Sequence, residues 1–279
     1  MHFNFAFSTV QVLWALTFAA HLVLLVVLMG RDRMRRFPWF TTGIVLVALR
    51  LVTSRLLYGR MPQLTTSAIF IVLADLSSIV GLLVVVELAR RAFARASRRS
   101  WVVSTIVLLA LGATVLATWG KWPAWKTLSV TSPLALLGLM QLLAQKAGLL
   151  VDVLTVALGL LVVLFARRNG AGWRSHAQQI VIGLSTASIA QLAVQAIWQI
   201  IAKTAAPHSM AEYQRIVGLR EKLFNANSVI YLAVLIWWIV CLWIDEPGAP
   251  SAAETAPAGT PASQDSGSVP ADLPSDPEV

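Results

Sequence analysis

The sequence is short of charge, of acid and of cysteine. Only 13% of its 279 residues are charged, where a soluble domain carries about 25%. Seven of the thirteen acids stand at or beyond Asp245, so the chain ahead of it is almost free of carboxylates. The single cysteine, Cys241, excludes an internal disulfide and says nothing of redox compartment. There is no glycine-rich phosphate loop, HExxH pair or nucleophile elbow. No His, Cys, Asp and Glu fall at metal-ligand spacing. The expectation is therefore no enzyme, no metal and no cofactor.

Two further absences narrow the classes. Of the four histidines only His21 lies inside an apolar run, so a bis-histidine haem lacks a second ligand. The last apolar run contains no lysine for a retinal Schiff base. The formal charge of +9 comes with no nucleic-acid motif, which excludes that partner.

What is present is carbon. Hydrophobic residues make up 57% of the chain and gather in apolar runs of the length, about 20 residues, that a helix needs to cross a bilayer. Seven are expected: Ser8 to Gly30, Pro38 to Tyr58, Thr66 to Ala89, Trp101 to Trp119, Gly148 to Ala166, Gln178 to Ala202 and Ser228 to Ile244. They are continuously apolar, which excludes the alternation of a β-barrel. The first is read as a retained helix because four arginines, Arg31 to Arg36, follow it directly. The fold class is all-α, a polytopic membrane protein with seven transmembrane helices over residues 1–245. Residues 246–279 form a disordered acidic tail rich in Pro, Ala and Ser.

Twelve arginines crowd the short connections after the first, third and fifth runs, so the positive-inside bias puts the amino terminus outside and the carboxyl terminus in the cytoplasm. Anionic lipid headgroups are the expected partners of these arginine-rich loops. Glu87 and Arg91, one turn apart near the cytoplasmic surface, read as an exposed pair. On the outer side, Trp119, Trp122 and Trp125 mark an interfacial belt. Ser209 with Glu212 reads as a capping box opening an amphipathic outer helix, separate from the seventh span.

Several polar residues fall where hydrocarbon is expected. At a rise of 1.5 Å per residue, Arg50 lies about 18 Å and Arg55 about 25 Å from Pro38, while Asp75 lies about 13 Å from the opposite surface. Arg50 and Asp75 thus share a depth on two antiparallel helices and are expected to pair. His21 reads as a packing residue or a pH-sensitive group. If the run from Ser132 and Pro133 continues into the fifth span, then Gln141, Gln145, Gly148, Asp152, Thr155 and Gly159 share one face. Ser188, Gln191, Gln195 and Gln199 form a second stripe on the sixth span, and Asn227, Tyr231 and Trp238 fall close to one face of the seventh. The candidate ligand-binding set is Arg50, Arg55, Asp75, Asp152, Gln191, Gln195 and Tyr231.

The runs LWALTFAAHL (Leu13 to Leu22), RDRMRRFPWF (Arg31 to Phe40), VVVELARRAF (Val84 to Phe93), WPAWKTL (Trp122 to Leu128) and GWRSHAQQIVIGLSTASIAQLAVQ (Gly172 to Gln195) resemble a group of uncharacterised seven-helix bacterial inner-membrane proteins of acidobacterial type. The resemblance implies a multi-pass topology in the bacterial plasma membrane. It implies no activity and carries no residue roles. The function expected from these residues is non-catalytic: a sensor-like or ligand- or lipid-binding module with an outward-facing polar cavity, whose output passes to a cytoplasmic protein partner. A small-molecule or lipid carrier and a structural scaffold are the alternatives.

Overall fold

The computed structural model describes residues 8–57, 60–93, 98–118, 133–166, 175–204 and 209–245. The chain divides into two units, Met1–Glu246 and Pro247–Val279. The second, with the expected acidic tail, lies outside the described residues, as do the tryptophans at 119, 122 and 125 and residues 94–97 of the basic loop.

The described residues of the first unit form eight helices: α1 (Thr9–Gly30), α2 (Arg33–Arg36), α3 (Pro38–Leu57), α4 (Gln63–Ala92), α5 (Arg98–Thr118), α6 (Pro133–Ala166), α7 (His176–Thr204) and α8 (Met210–Trp243). Six of them, all but α2 and α5, are long and apolar enough to cross a membrane. The fourth apolar run makes α5, whose apolar part, Val102–Thr118, is shorter.

The six long helices close a ring. In order around it stand α1, α3, α4, α6, α7 and α8, with α8 returning to α1 and α4 also touching α7 across the middle. Among the described residues α5 packs on α6 alone. Because α5 carries the chain back outside the ring, α4 and α6 are neighbours running the same way, and Gly81 meets Val151 while Gly148 meets Ser78. Small residues set such approaches between apolar helices. A Cβ at Gly159 would overlap Ser185, and one at Gly183 would overlap the Trp238 indole.

The arginine-rich end of the ring is packed solid. Leu24, Leu28, Phe40, Ile44, Leu88, Leu158, Ile180, Leu235 and Trp238 are all buried there, with Phe40 edge-on to Trp238 at 5.2 Å. The connection between α1 and α3 turns at exposed Asp32, which adopts φ 50°, a left-handed conformation that Asp tolerates, and Pro38 opens α3.

Two expectations need correction here. Glu87 keeps Arg91 at 3.3 Å, but it is buried, and its other oxygen accepts the backbone N–H of Phe40 at 3.0 Å. It caps α3 from the neighbouring helix, supplying an acceptor to an N-terminal donor that has no intrahelical partner. And Ser209 does cap a helix, accepting from the Glu212 N–H at 3.2 Å, but that helix runs unbroken through Asn227 to Trp243. The outer amphipathic segment and the seventh span are one 34-residue helix, about 51 Å long. The sixth segment behaves as expected: Pro133 starts a single helix that continues to Ala166.

The glycine seams carry a test. Gly159→Ala and Gly183→Ala each destabilise the solubilised protein by about 1–3 kcal/mol through overpacking, measured by thermal unfolding. Gly30→Ala and Gly138→Ala, which meet nothing within 4 Å, leave the transition in place.

Candidate functional site

Above the plug the ring is hollow. Depth along each helix, counted from the arginine-rich end, places the change. Leu158 and Leu235 stand about 12 Å up; Asp152, Gln191 and Tyr231 stand about 18 to 22 Å up. From that level toward the far end lie two chambers, both open to the surface, of about 550 Å³ and about 420 Å³, within the usual range of small-molecule sites.

Chamber one lies among α1, α3, α6, α7 and α8. Leu13, Val47, Leu51 and Leu184 give it an apolar wall, and Trp14, Tyr231, Asn227, Ser188 and Asp152 supply its polar and aromatic groups. Chamber two lies among α3, α4, α6 and α7 and holds Arg50, Ser77, Gln141, Gln145 and Gln195. Val151, Asp152 and Gln191 line both, so the carboxylate and the amide stand in the partition between them.

These positions follow from helix period. The stripe expected on α6 is intact: Gln141, Gln145 and Gly148 face chamber two, Asp152 faces both, Thr155 faces chamber one, and Gly159 closes against Ser185 below. The stripe on α7 behaves likewise from Ser188 to Gln195, while Gln199 is exposed and lines neither chamber. Across the partition, the Ser188 hydroxyl donates to Asp152 Oδ1 at 2.9 Å and Asn227 Nδ2 donates to Gln191 Oε1 at 2.6 Å. Among the described residues Ser188 is the one hydrogen-bond donor to Asp152.

His21 sits beneath chamber one, fully buried. Its Nδ1 is 2.7 Å from the Thr17 carbonyl, which can only accept, so Nδ1 carries the proton. In the neutral ring Nε2 then accepts, and the Tyr231 hydroxyl donates to it at 3.0 Å. His21 thereby fixes Tyr231, a chamber-lining residue, from the row below.

The expected Arg50–Asp75 pair is absent. Among the described residues the two form no ion pair, and Asp75 is half-buried without lining either chamber. Equal depth fixed their height but not their direction: Arg50 faces chamber two and Asp75 does not. Arg55 lines neither chamber; its exposed guanidinium lies over the Trp14 ring at 5.5 Å, whose indole N–H donates to the Leu51 carbonyl at 3.3 Å.

A second polar centre escaped the sequence reading. At the arginine-rich end, buried His176 and Arg33 meet: Arg33 Nη1 lies within hydrogen-bond distance of both ring nitrogens of His176, and His176 Nε2 stands 3.0 Å from the Ile244 carbonyl. Arg33 also donates to Ile244 at 3.0 Å and to Asp245 at 3.3 Å, and Arg31 reaches Asp245 at 3.2 Å. These groups satisfy the carbonyl end of α8 and place positive charge at the negative pole of its dipole. They tie α1, α2, α7 and α8 into one knot under the plug. The signal in the sequence was the isolated His176 at the first position of a long apolar run.

Two double-mutant cycles follow, read by thermal unfolding in detergent. Tyr231→Phe leaves the buried His21 nitrogen without its donor and costs about 1–3 kcal/mol, while the cost is smaller in a His21→Leu background. Arg50→Ala and Asp75→Asn, which share no contact, are additive within about 0.5 kcal/mol.

No known protein family, curated protein or solved structure matches this chain, so the reading of the site rests on its own residues.

Proposed function

We propose that this chain is a non-catalytic, seven-helix inner-membrane protein that binds a small molecule or lipid in a cup facing away from the cytoplasm. The observation that carries the reading is the asymmetry of the ring, solid at its arginine-rich end and hollow above Asp152 and Gln191. The excess of basic residues at the solid end supports placing that end in the cytoplasm, with the amino terminus outside. The seventh helix in this reading is α5, packed outside the ring. The resemblance to bacterial inner-membrane proteins supports the same membrane and topology.

A scaffold would fill its interior along its full length, because unfilled volume forfeits packing energy. Here side chains leave two chambers and aim amides and one carboxylate into them, the form expected of a ligand site. A carrier needs the solid end to open, and the Arg33–His176–Ile244 knot opposes this by joining helices from both ends of the chain. A sensor needs no such opening. Tyr231 in the chamber and Ile244 in the knot stand on the same helix and its immediate end, so an occupant that shifts α8 is felt at the cytoplasmic surface, where a protein partner reads it.

Thiol accessibility tests the cup. Cys241 is the single cysteine and is buried, so Cys241→Ser gives a silent background. Ala187→Cys, in chamber one, reacts with a membrane-impermeant maleimide added outside, and Leu158→Cys, in the plug, reacts from neither side. Labelling of Leu158→Cys from the cytoplasmic side would favour the carrier, and no labelling of Ala187→Cys would favour the scaffold.

A further inference from the structure

Resting on that ligand-binding reading, we infer that chamber one takes an amphipathic organic cation, with its protonated nitrogen against the Asp152 carboxylate and its apolar body along α1, α3 and α7. Asp152 stands about 21 Å from the arginine-rich end, at mid-membrane depth, where a carboxylate is costly without a compensating charge. Its one described donor is the neutral Ser188 hydroxyl, and no lysine or arginine lines the chamber.

The nearby cations do not compensate that carboxylate. Arg50 is exposed at chamber two and forms no ion pair with Asp152. Arg55 is exposed and occupied with the Trp14 ring, where water and headgroups screen its charge.

The remaining polar groups of the chamber suit a donor. The Tyr231 proton is committed to His21, which leaves its oxygen as an acceptor and its ring face as a cation–π surface. Asn227 spends an N–H on Gln191, which leaves its own carbonyl oxygen for the chamber. Leu13, Val47 and Leu184 offer the apolar wall on which a hydrocarbon or aryl body gains its binding energy. A carboxylate ligand meets Asp152 and gains nothing from these groups; a neutral ligand leaves the acid uncompensated.

Three near-isosteric probes separate the cases: phenylpropylamine, phenylpropanol and phenylpropionate, titrated by calorimetry into the full chain in nanodiscs, with empty nanodiscs subtracted. The amine is expected to bind at least about tenfold tighter than the alcohol, and the carboxylate not measurably. Asp152→Asn is expected to bring amine and alcohol together, and Ala187→Trp, which fills chamber one, to abolish both. The comparison of probes on the native protein stands whether or not either variant folds. Equal binding of amine and alcohol overturns the charge assignment and leaves the cavity reading standing. Binding of none of the three overturns both. Amine preference that survives Asp152→Asn moves the site elsewhere and overturns the assignment.

Discussion

A polar group inside hydrocarbon has no water to return to, and the whole bundle is arranged by how each such group is satisfied. At the arginine-rich end several of these groups are answered by another part of the chain. Glu87 accepts from Phe40, Ser185 donates to the Thr155 carbonyl, and Arg33 with His176 holds Ile244. Each of these joins two helices, so satisfying the group also fixes the packing. In the far half the answer changes. Arg50, Gln141, Gln145 and Gln195 turn toward a chamber instead of toward a partner helix. On the binding reading, side chains of that kind mark the place where a ligand supplies the interaction.

The division of labour was half legible in the sequence. Polar stripes on α6 and α7 could be read because helical period alone decides which residues share a face, and a continuous apolar background makes the stripe stand out. The Arg50–Asp75 pair could not, since depth constrains height while rotation about the helix axis is set by packing at Gly43, Gly81 and their neighbours. Glu87, Arg33 and His176 lie near helix ends, where charged residues ordinarily face headgroups. What distinguished Glu87 was its level with the free donors at the start of α3 across an antiparallel hairpin. The break expected before the seventh span is absent because the outer segment and the span are one helix, on which Asn225 and Asn227 line chamber one.

Placement of α5 outside the ring has a structural consequence for the cavity. Were α5 a ring member, α4 and α6 would stand apart, and Asp152 would face a different helix. With α5 displaced, α4 and α6 run side by side in the same direction, and their contact is carried by Gly81 against Val151 and Gly148 against Ser78. That close approach at one wall brings Ser77 and Ser78 to chamber two opposite Arg50, while the partition residues Asp152 and Gln191 look both ways. The connectivity, not the composition of any single helix, makes one carboxylate accessible from two sides.

The floor of chamber one is where the two halves meet. Tyr231 lines the chamber, His21 holds its hydroxyl from below, and two turns further along α8 Trp238 is locked by Gly183 and Phe40 into the plug. A helix transmits a displacement along its axis with little loss when its side chains are interdigitated, because packed interiors are not continuously deformable. On the binding reading, an occupant that draws Tyr231 toward Asp152 therefore has two ways to be accommodated: the His21 hydrogen bond breaks, or α8 moves as a unit against α7. The first leaves a buried nitrogen unsatisfied; the second strains the close contact at Gly183. Either response reaches the Arg33–His176–Ile244 knot, since α1, α7 and α8 are the helices it joins.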